Sequence, residues 1–213
     1  MSELLLRNAL NNIIKKFTKK TQKGKVIVIS GPSGSGKTTL CRELLKRNKN
    51  LVFSVSYTTR PKKNKEIDGK DYYFVSDDKF FKMVEKGEFI EWAKVHNYYY
   101  ATPKMPLIKA INSGKDILLD IDVQGGKNIK KLFPDGIFIF VLPPSLKVLK
   151  ERIISRRRDN SKEISLRLKN ILKEVKYIKF YDYLVINDDL ERTLEILNSI
   201  IISDKYRLKG EFL

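Results

Sequence analysis

A glycine-rich segment limits what this chain can fold into more than any other feature. It matches the pattern GxxxxGK[ST] in full and reads Gly31, Pro32, Ser33, Gly34, Ser35, Gly36, Lys37, Thr38. An apolar run, Val26 to Ser30, precedes it, and a segment with helical periodicity, Thr38 to Lys46, follows it. A chance glycine-rich turn would not lie between these two segments. The order of strand, loop and helix therefore predicts a site for a nucleoside triphosphate.

Each part of this phosphate loop has an expected task. The glycines leave room for backbone N–H groups to face phosphate oxygens, and the helix adds the positive end of its dipole. Lys37 is expected to reach the β and γ phosphates, and Thr38 to offer its hydroxyl to Mg²⁺. Thr39 completes the predicted triphosphate-binding residues, 31–39.

Short apolar runs alternate with helix-length segments from Lys25 onward. This alternation predicts an α/β fold, here a P-loop three-layer fold with a mainly parallel sheet, whose strands are nearly continuous in apolar residues. The expected strands are Val26–Ser30, Asp116–Asp122, Ile137–Leu142 and Tyr183–Ile186. Residues 53–103 are richer in Tyr, Thr, Gly and Asp, and predict an inserted α+β subdomain for substrate, with one helix at Asp77–Glu85. Residues 24–52, 104–145 and 169–213 would form the core.

Two carboxylates end one of the expected strands. Alternation along residues 117–122 places Asp120 and Asp122 on one side of that strand. A carboxylate near the phosphate loop is expected to organise Mg²⁺ and its waters, so Asp120 joins Thr38 as a predicted metal residue. The alternative is a strand end capped by acids for solubility.

The formal net charge of +18 could indicate binding of nucleic acid, of an anionic membrane or of a few phosphate-bearing ligands. Lysine is spread over nearly every segment, whereas arginine clusters between Arg152 and Arg167. Because arginine binds phosphate through two parallel hydrogen bonds, we assign the arginines to a site and most lysines to the surface. Binding of a polyanion by the excess charge stays open.

The first 23 residues predict a basic amphipathic helical extension. Its apolar positions share one helical face and are Leu6, Leu10, Ile13, Ile14 and Phe17. We expect it to pack on its own protein or on a second subunit, and a membrane surface or a targeting role is less favoured. No apolar run reaches the roughly 18 to 20 residues that span a bilayer, and a cytoplasmic protein is expected. Cys41 is expected to be a buried hydrophobe, and His96 a surface loop residue.

Several classes that use a phosphate loop are disfavoured. A Ras-type GTPase would carry Asn-Lys-x-Asp, and the nearest string, Asn64-Lys65-Glu66-Ile67, fails at its last position. A chain of 213 residues leaves no room for a large ATPase module. A compact small-molecule kinase remains.

Six blocks of the chain resemble the guanylate kinase family in order and spacing, from about Lys25 to about Ile202. They are GPSGSGKT (31–38), SVSYTTR (54–60), EIDGKDYYFV (66–75), EFIEWA (88–93), ILLDIDVQG (117–125) and VINDDL (185–190). The resemblance implies transfer of the γ-phosphoryl group from ATP to GMP, giving ADP and GDP. Residues 53–103 would then bind GMP.

The resemblance also implies how GMP is held. Its phosphate would meet Arg60, Tyr72 and Tyr100, with Ser56 nearby. A second arginine of the family is replaced here by Lys63, which supplies charge without the planar fork and predicts looser GMP binding or more reliance on the tyrosines. The family's glycine between Tyr100 and Thr102 is Ala101 here, which matters if that position needs a positive φ.

For the guanine base, the resemblance implies Glu91 and Thr102, with Asp122 close by. The Glu91 carboxylate can accept from guanine N1–H and from the exocyclic amine, whereas adenine would point an acceptor at it. Acceptance of dGMP is expected because no residue is assigned to the 2′-hydroxyl.

A mobile lid over residues 146–168 is the last element that the resemblance implies. Arg152 and Arg156 share a helical face, and with Arg167 and Lys37 they would stabilise the transferring phosphoryl group. Asn187 would lie near the adenine of ATP. Two alternatives stay open: a scaffold module that keeps the fold and binds proteins, and a kinase for another acceptor. Neither a nucleic acid nor a membrane partner is required, and the expected state is a monomer or a homodimer.

Overall fold

A computed structural model describes residues 3–95, 97–155 and 171–207. Its strands form two separate sheets. They are β1 (Val26–Ser30), β2 (Leu51–Phe53), β3 (Tyr57–Thr58), β4 (Tyr73–Phe74), β5 (Phe89–Val95), β6 (Tyr98–Pro103), β7 (Asp116–Asp120), β8 (Ile137–Leu142) and β9 (Tyr183–Ile186). The helices are α1 (Glu3–Gln22), α2 (Lys37–Arg47), α3 (Asp77–Glu85), α4 (Lys104–Asn112), α5 (Val123–Leu132), α6 (Leu146–Ser155), α7 (171–175) and α8 (Leu190–Lys205), with a 3₁₀ helix at Lys176–Phe180.

A five-stranded parallel sheet in the order β2-β7-β1-β8-β9 forms the core. Its central strand β1 is buried at all five positions, because helices cover both faces. Ile27 and Ile29 pack with residues of α2 and α8 on one face. Val26 and Val28 pack with residues of α4 and α5 on the other. The three-layer α/β fold is therefore confirmed.

The second sheet has the order β4-β3-β6-β5 and is built from residues within 53–103. Its long hairpin, β5 with β6, is antiparallel, and α3 packs beside it through a cluster of aromatic rings. Phe80 is fully buried in this cluster, against Phe89 and Tyr99. The predicted helix Asp77–Glu85 is confirmed, and Ser76 caps it by accepting from Lys79 N–H.

The structure differs from the sequence-based expectations at the end of one strand and at one missed strand, and it agrees with them at Cys41. The strand expected at Asp116–Asp122 ends at Asp120, because Asp122 instead caps α5 by accepting from the backbone N–H groups of Gln124 and Gly125. The edge strand β2 was missed, since three residues carry too little periodicity to be recognised. Cys41 is buried, as expected.

The N-terminal helix α1 is present, but its apolar face is not covered. Leu6, Leu10, Ile13 and Ile14 are each about half exposed, which contradicts packing of that face on the rest of the chain. The Phe17 ring lies 6.1 Å from the Tyr206 ring and anchors the end of the helix. A second subunit as the partner of this face stays a prediction. No helix in the described part of the chain is long and apolar enough to cross a membrane.

Candidate active site

The phosphate loop follows β1 and closes onto the first turn of α2. Gly36 precedes α2 with φ +94°, and a Cβ there would lie 2.2 Å from Asn187 Nδ2. Both the backbone conformation and the close approach therefore require glycine. Ser35 N–H donates to the Pro32 carbonyl (3.1 Å), which closes the turn. The loop thus has the shape of an anion cradle at a helix N-terminus.

Lys37 folds back over this loop. Its Nζ donates to the carbonyl oxygens of Gly31 (2.6 Å) and Pro32 (3.1 Å). The ammonium group therefore lies at the mouth of the cradle and is held by neutral acceptors. An incoming phosphate can replace those acceptors with a charged partner, which gives the stronger hydrogen bond.

Thr38 and Asp120 meet beside the loop. The Thr38 hydroxyl donates to Asp120 Oδ2 over 2.8 Å, which joins the first turn of α2 to the end of β7. A hydroxyl and a carboxylate are oxygen ligands of the kind that Mg²⁺ prefers, so this pair fits the ion. The structure brings together the two residues predicted for metal binding.

Asn187 supports the loop from behind. Its side chain is buried, and Nδ2 donates to the Ser35 carbonyl over 2.8 Å. The Asn187 carbonyl accepts from Arg152 Nη2 (3.3 Å), so this predicted lid arginine lies beside the phosphate loop. A contact between Asn187 and adenine stays a prediction. Arg156 and Arg167 lie outside the described residues.

A second basic socket lies in the smaller sheet, around Arg60. The Arg60 guanidinium lies 5.3 Å from the centre of the Tyr72 ring, and Tyr72 meets Tyr100 edge to face at 6.0 Å. Burial alone would lower the pKa of Arg60, but hydrogen bonds with Glu66 and with Tyr100 outweigh it and raise the pKa above its ordinary value. Ser56 is buried on the same sheet, and Lys63 lies exposed on the turn that follows Arg60. The structure therefore assembles the predicted phosphate residues.

Glu91 and Thr102 face each other across β5 and β6. The Thr102 hydroxyl donates to Glu91 Oε1 over 2.7 Å, while Oε2 is buried and has no hydrogen-bond partner in the described part of the chain. Burial raises the pKa of Glu91 to about 7; the Thr102 hydrogen bond opposes this rise and the charge of Asp122 adds to it. One carboxylate oxygen is therefore held in place and the other is left for a donor. Ala101 lies in extended β6 without a positive φ, so replacing the family's glycine costs no backbone strain.

Two interactions connect the Arg60 socket with the phosphate-loop side of the site. Burial, followed by the charge of Asp120, raises the pKa of Tyr72, which places this tyrosine within electrostatic reach of the metal-site carboxylate. Arg42 of α2 forms an ion pair with Asp71, next to Tyr72, at 2.6 Å. The sheet that carries Arg60 is therefore tied to the helix that carries Thr38.

Two residues near the site, Glu174 and Tyr181, were missed by sequence reasoning. Glu174 has a buried Oε2 without a partner among the described residues, and burial raises its pKa to about 7, opposed by the charge of Lys37. Tyr181 lies over Gly126, where a Cβ would come within 2.1 Å of the tyrosine hydroxyl. The adjacent glycines 125 and 126 at a helix start were a usable signal of close packing, whereas nothing in the local sequence marked Glu174.

We expect Gly126→Ala to destabilise the protein by about 1 to 3 kcal/mol, the usual cost of forcing an extra methyl group into a packed interior. The Tyr181 ring cannot move away freely because it packs edge-on against Phe140 at 5.2 Å. Urea unfolding measures the change. Tyr181→Phe removes the clashing hydroxyl, so the alanine should cost less in that background; an equal cost in both would contradict this packing.

Comparisons with known proteins agree with this geometry. The family model described as guanylate kinase matches residues 23–204. The guanylate kinase of Caldanaerobacter subterraneus is 46% identical over 187 residues, 88% of this chain and 91% of that protein. The guanylate kinase of Thermotoga maritima is 46% identical over 87% of this chain and 90% of its own length.

A solved structure gives the same result. The crystal structure of guanylate kinase from Anaplasma phagocytophilum superposes with a TM-score of 0.73 at 32% identity, covering 87% of this chain and 88% of that one. The residues matched by the family model include both the phosphate loop and the smaller sheet. This chain belongs to the guanylate kinase family.

Proposed function

We propose that this chain transfers the γ-phosphoryl group of ATP to GMP, giving ADP and GDP, with the phosphate loop holding the donor and the Arg60 socket holding the acceptor. The observation that carries the proposal is the buried Glu91–Thr102 pair on the sheet that bears Arg60. One sheet thus carries a pair suited to guanine and a basic socket suited to the GMP phosphate, and it contacts the helix that follows the phosphate loop. This arrangement suits a guanylate kinase. The intact Lys37 and Thr38 favour catalysis over a scaffold role.

On the donor side, the backbone N–H groups of residues 31–36 and the start of α2 would bind the phosphates of ATP. Lys37 would leave the Gly31 and Pro32 carbonyls and follow the β and γ phosphates. Thr38 and Asp120 would hold Mg²⁺, Asp120 through water. When bound, this ion would offset the charge of the phosphates. Asn187 would keep Ser35 in place beneath the nucleotide and lie near the adenine.

On the acceptor side, Arg60, Tyr72 and Tyr100 would grip the GMP phosphate, with Ser56 and Lys63 at its edge. Glu91, Thr102 and Asp122 would read the guanine. A GMP phosphate oxygen is already ionised near neutral pH, so transfer requires alignment and charge compensation rather than a general base. Arg152, with Arg156 and Arg167, would supply that compensation as a lid over the transferring group.

The partners follow from these contacts. ATP and GMP are the substrates, and dGMP is an expected further acceptor because none of the assigned residues is directed to the 2′-hydroxyl. The reaction requires neither nucleic acid nor membrane. A cytoplasmic monomer or homodimer fits this role.

A coupled assay with ATP and Mg²⁺ tests the acceptor. We expect GMP to exceed AMP in kcat/KM by roughly tenfold to a few hundredfold, since AMP would leave the buried Glu91 carboxylate facing an acceptor. Equal use of both nucleotides would point to another nucleoside monophosphate kinase. The absence of turnover with either, in a protein that still binds GMP, would point to a scaffold module.

A further inference from the structure

Glu66 has no assigned role in the proposed reaction, yet it makes several contacts in the Arg60 socket. It lies six positions after Arg60, and its carboxylate accepts from two nitrogens of that guanidinium, Oε1 from Nη2 and Oε2 from Nη1, each at 3.0 Å. Both side chains are mostly shielded from water, with 11% of Arg60 and 20% of Glu66 exposed. Two parallel hydrogen bonds fix the plane of a guanidinium as well as its position.

The remaining donors of Arg60 are limited in number. A guanidinium has five N–H donors, of which Glu66 takes two and the Pro61 carbonyl takes another from Nη1 (2.8 Å). The other two, Nε–H and the second Nη2–H, lie along one edge of the planar group. Tyr100, itself a predicted GMP-phosphate residue, also hydrogen-bonds to this guanidinium. The rings of Tyr72 and Phe74 lie 5.3 and 5.6 Å from Arg60 Cζ and further restrict its orientation.

The backbone before Glu66 is shaped to deliver this carboxylate. Glu66 N–H donates to the Lys63 carbonyl (3.1 Å), and Lys63 N–H donates to Glu66 Oε2 (2.8 Å), which closes a tight turn. Within the turn, Lys65 has φ +72°, and no other non-glycine residue in 3–95, 97–155 and 171–207 has a positive φ. Such a conformation persists where surrounding contacts determine it, and it often accompanies a functional site.

We propose that Glu66 is a positioning residue for the acceptor: through the 63–66 turn it holds Arg60 so that the Nε–Nη2 edge is presented to the phosphate of the incoming nucleotide. This inference rests on the proposed role of Arg60 in GMP binding. Without Glu66, the long arginine side chain would sample several rotamers and lose that entropy on each binding event. Glu66 therefore contributes to GMP affinity without touching GMP.

The charge state of the pair agrees with this role. Burial would raise the pKa of Glu66, but hydrogen bonds from Arg60 and from Lys63 N–H outweigh it and hold the pKa below its ordinary value. The carboxylate is thus ionised throughout the neutral range. The lysine that replaces the family's second arginine supplies its backbone N–H to Glu66 in this arrangement.

Steady-state kinetics of Glu66→Gln test the proposal, because glutamine has one acceptor oxygen and cannot offer a separate one to each guanidinium nitrogen. We expect KM for GMP to rise about tenfold, the usual scale for a lost charge-assisted contact. KM for ATP, and kcat at saturating GMP, should stay within about threefold of the parent values. Glu191→Gln is the matched control: it breaks a surface Arg–Glu pair with Arg47 (2.7 Å) and should change neither KM.

The exposed position 65 gives a second test that leaves the carboxylate unchanged. Lys65→Gly permits the positive φ and should keep KM for GMP at the parent value, whereas Lys65→Pro forbids it and should raise KM as Glu66→Gln does. Equal KM values for the glycine and proline variants would overturn the role of the turn.

A double-mutant cycle separates this inference from the proposed function. Arg60→Lys should raise KM for GMP strongly in the parent and by much less in the Glu66→Gln background. Both changes remove the same feature, a guanidinium oriented by the Glu66 carboxylate. Additive effects, an unchanged KM in Glu66→Gln, or a lower KM would overturn the positioning role; a lower KM would mean that Glu66 competes with phosphate for Arg60. An unchanged KM for GMP in Arg60→Lys would instead contradict the proposed role of Arg60 in binding the GMP phosphate.

Discussion

Lys37→Ala is expected to lower kcat by about a thousandfold, the upper range for losing one preorganised group aimed at developing charge. The Lys37 ammonium lies at the mouth of the phosphate loop on two neutral carbonyls, from which, in the proposed reaction, it would move to the phosphates. Alanine leaves the loop backbone and the start of α2 in place. Single-turnover phosphoryl transfer with saturating ATP, Mg²⁺ and GMP measures the loss directly.

The control for this variant lies on the same helix. Lys46→Ala removes an exposed lysine paired with Glu43 at 2.7 Å, at the far end of α2, and should keep parent kcat. GMP binding measured without ATP should be unchanged in Lys37→Ala, because the Arg60 socket belongs to the other sheet. A kcat within tenfold of the parent would contradict the role of Lys37 in transfer.

The core of the fold was predictable because its strands are buried on both faces. Val26–Ser30 and Ile137–Leu142 have continuous apolar runs, and the structure gives both with the expected bounds. Asp122 illustrates the limit of this reasoning. Alternation placed it on the strand, but its side chain can accept from two free N–H groups at the start of α5, and a helix cap formed instead.

The candidate site was predictable where a motif carries its own chemistry. Thr38 meets Asp120, as the phosphate-loop motif indicated, and Arg60 meets Tyr72, as the family resemblance implied. Glu66 and Glu174 were not found, because their importance depends on which atoms surround them after folding. An acidic residue in a lysine-rich loop resembles any solvated charge until its bonds to Arg60 are visible.

The affinity for GMP should fall as pH drops below about 7. In the ligand-free protein burial raises the pKa of Glu91 to about 7, whereas guanine requires the ionised carboxylate as an acceptor from two donors. Each pH unit below that value therefore leaves about tenfold less of the competent form, and KM for GMP should rise in proportion. Above the pKa the Glu91 contribution should be constant.

Glu91→Gln isolates this effect. It should raise KM for GMP about a hundredfold at pH 8, since an amide offers one acceptor where guanine presents two donors, while KM for ATP stays at the parent value. The GMP phosphate also titrates near pH 6, and both proteins share that dependence. The ratio of the two KM values across pH 5.5 to 8.5 therefore reports Glu91 alone.

Stability should change in the opposite direction to affinity. The folded-state pKa of Glu91 lies above the ordinary value of 4.5, so the penalty for ionising this buried carboxylate is absent below pH 4.5 and complete above pH 7. Replacing it with glutamine should stabilise the ligand-free protein by about 3 kcal/mol at most at pH 8, and by little at pH 4.5, as measured by urea unfolding. A variant that loses GMP affinity but gains no stability at pH 8 would show that Glu91 is hydrated in the free protein. Equal losses of GMP and ATP affinity in Glu91→Gln would contradict the proposed role of Glu91 in recognising guanine.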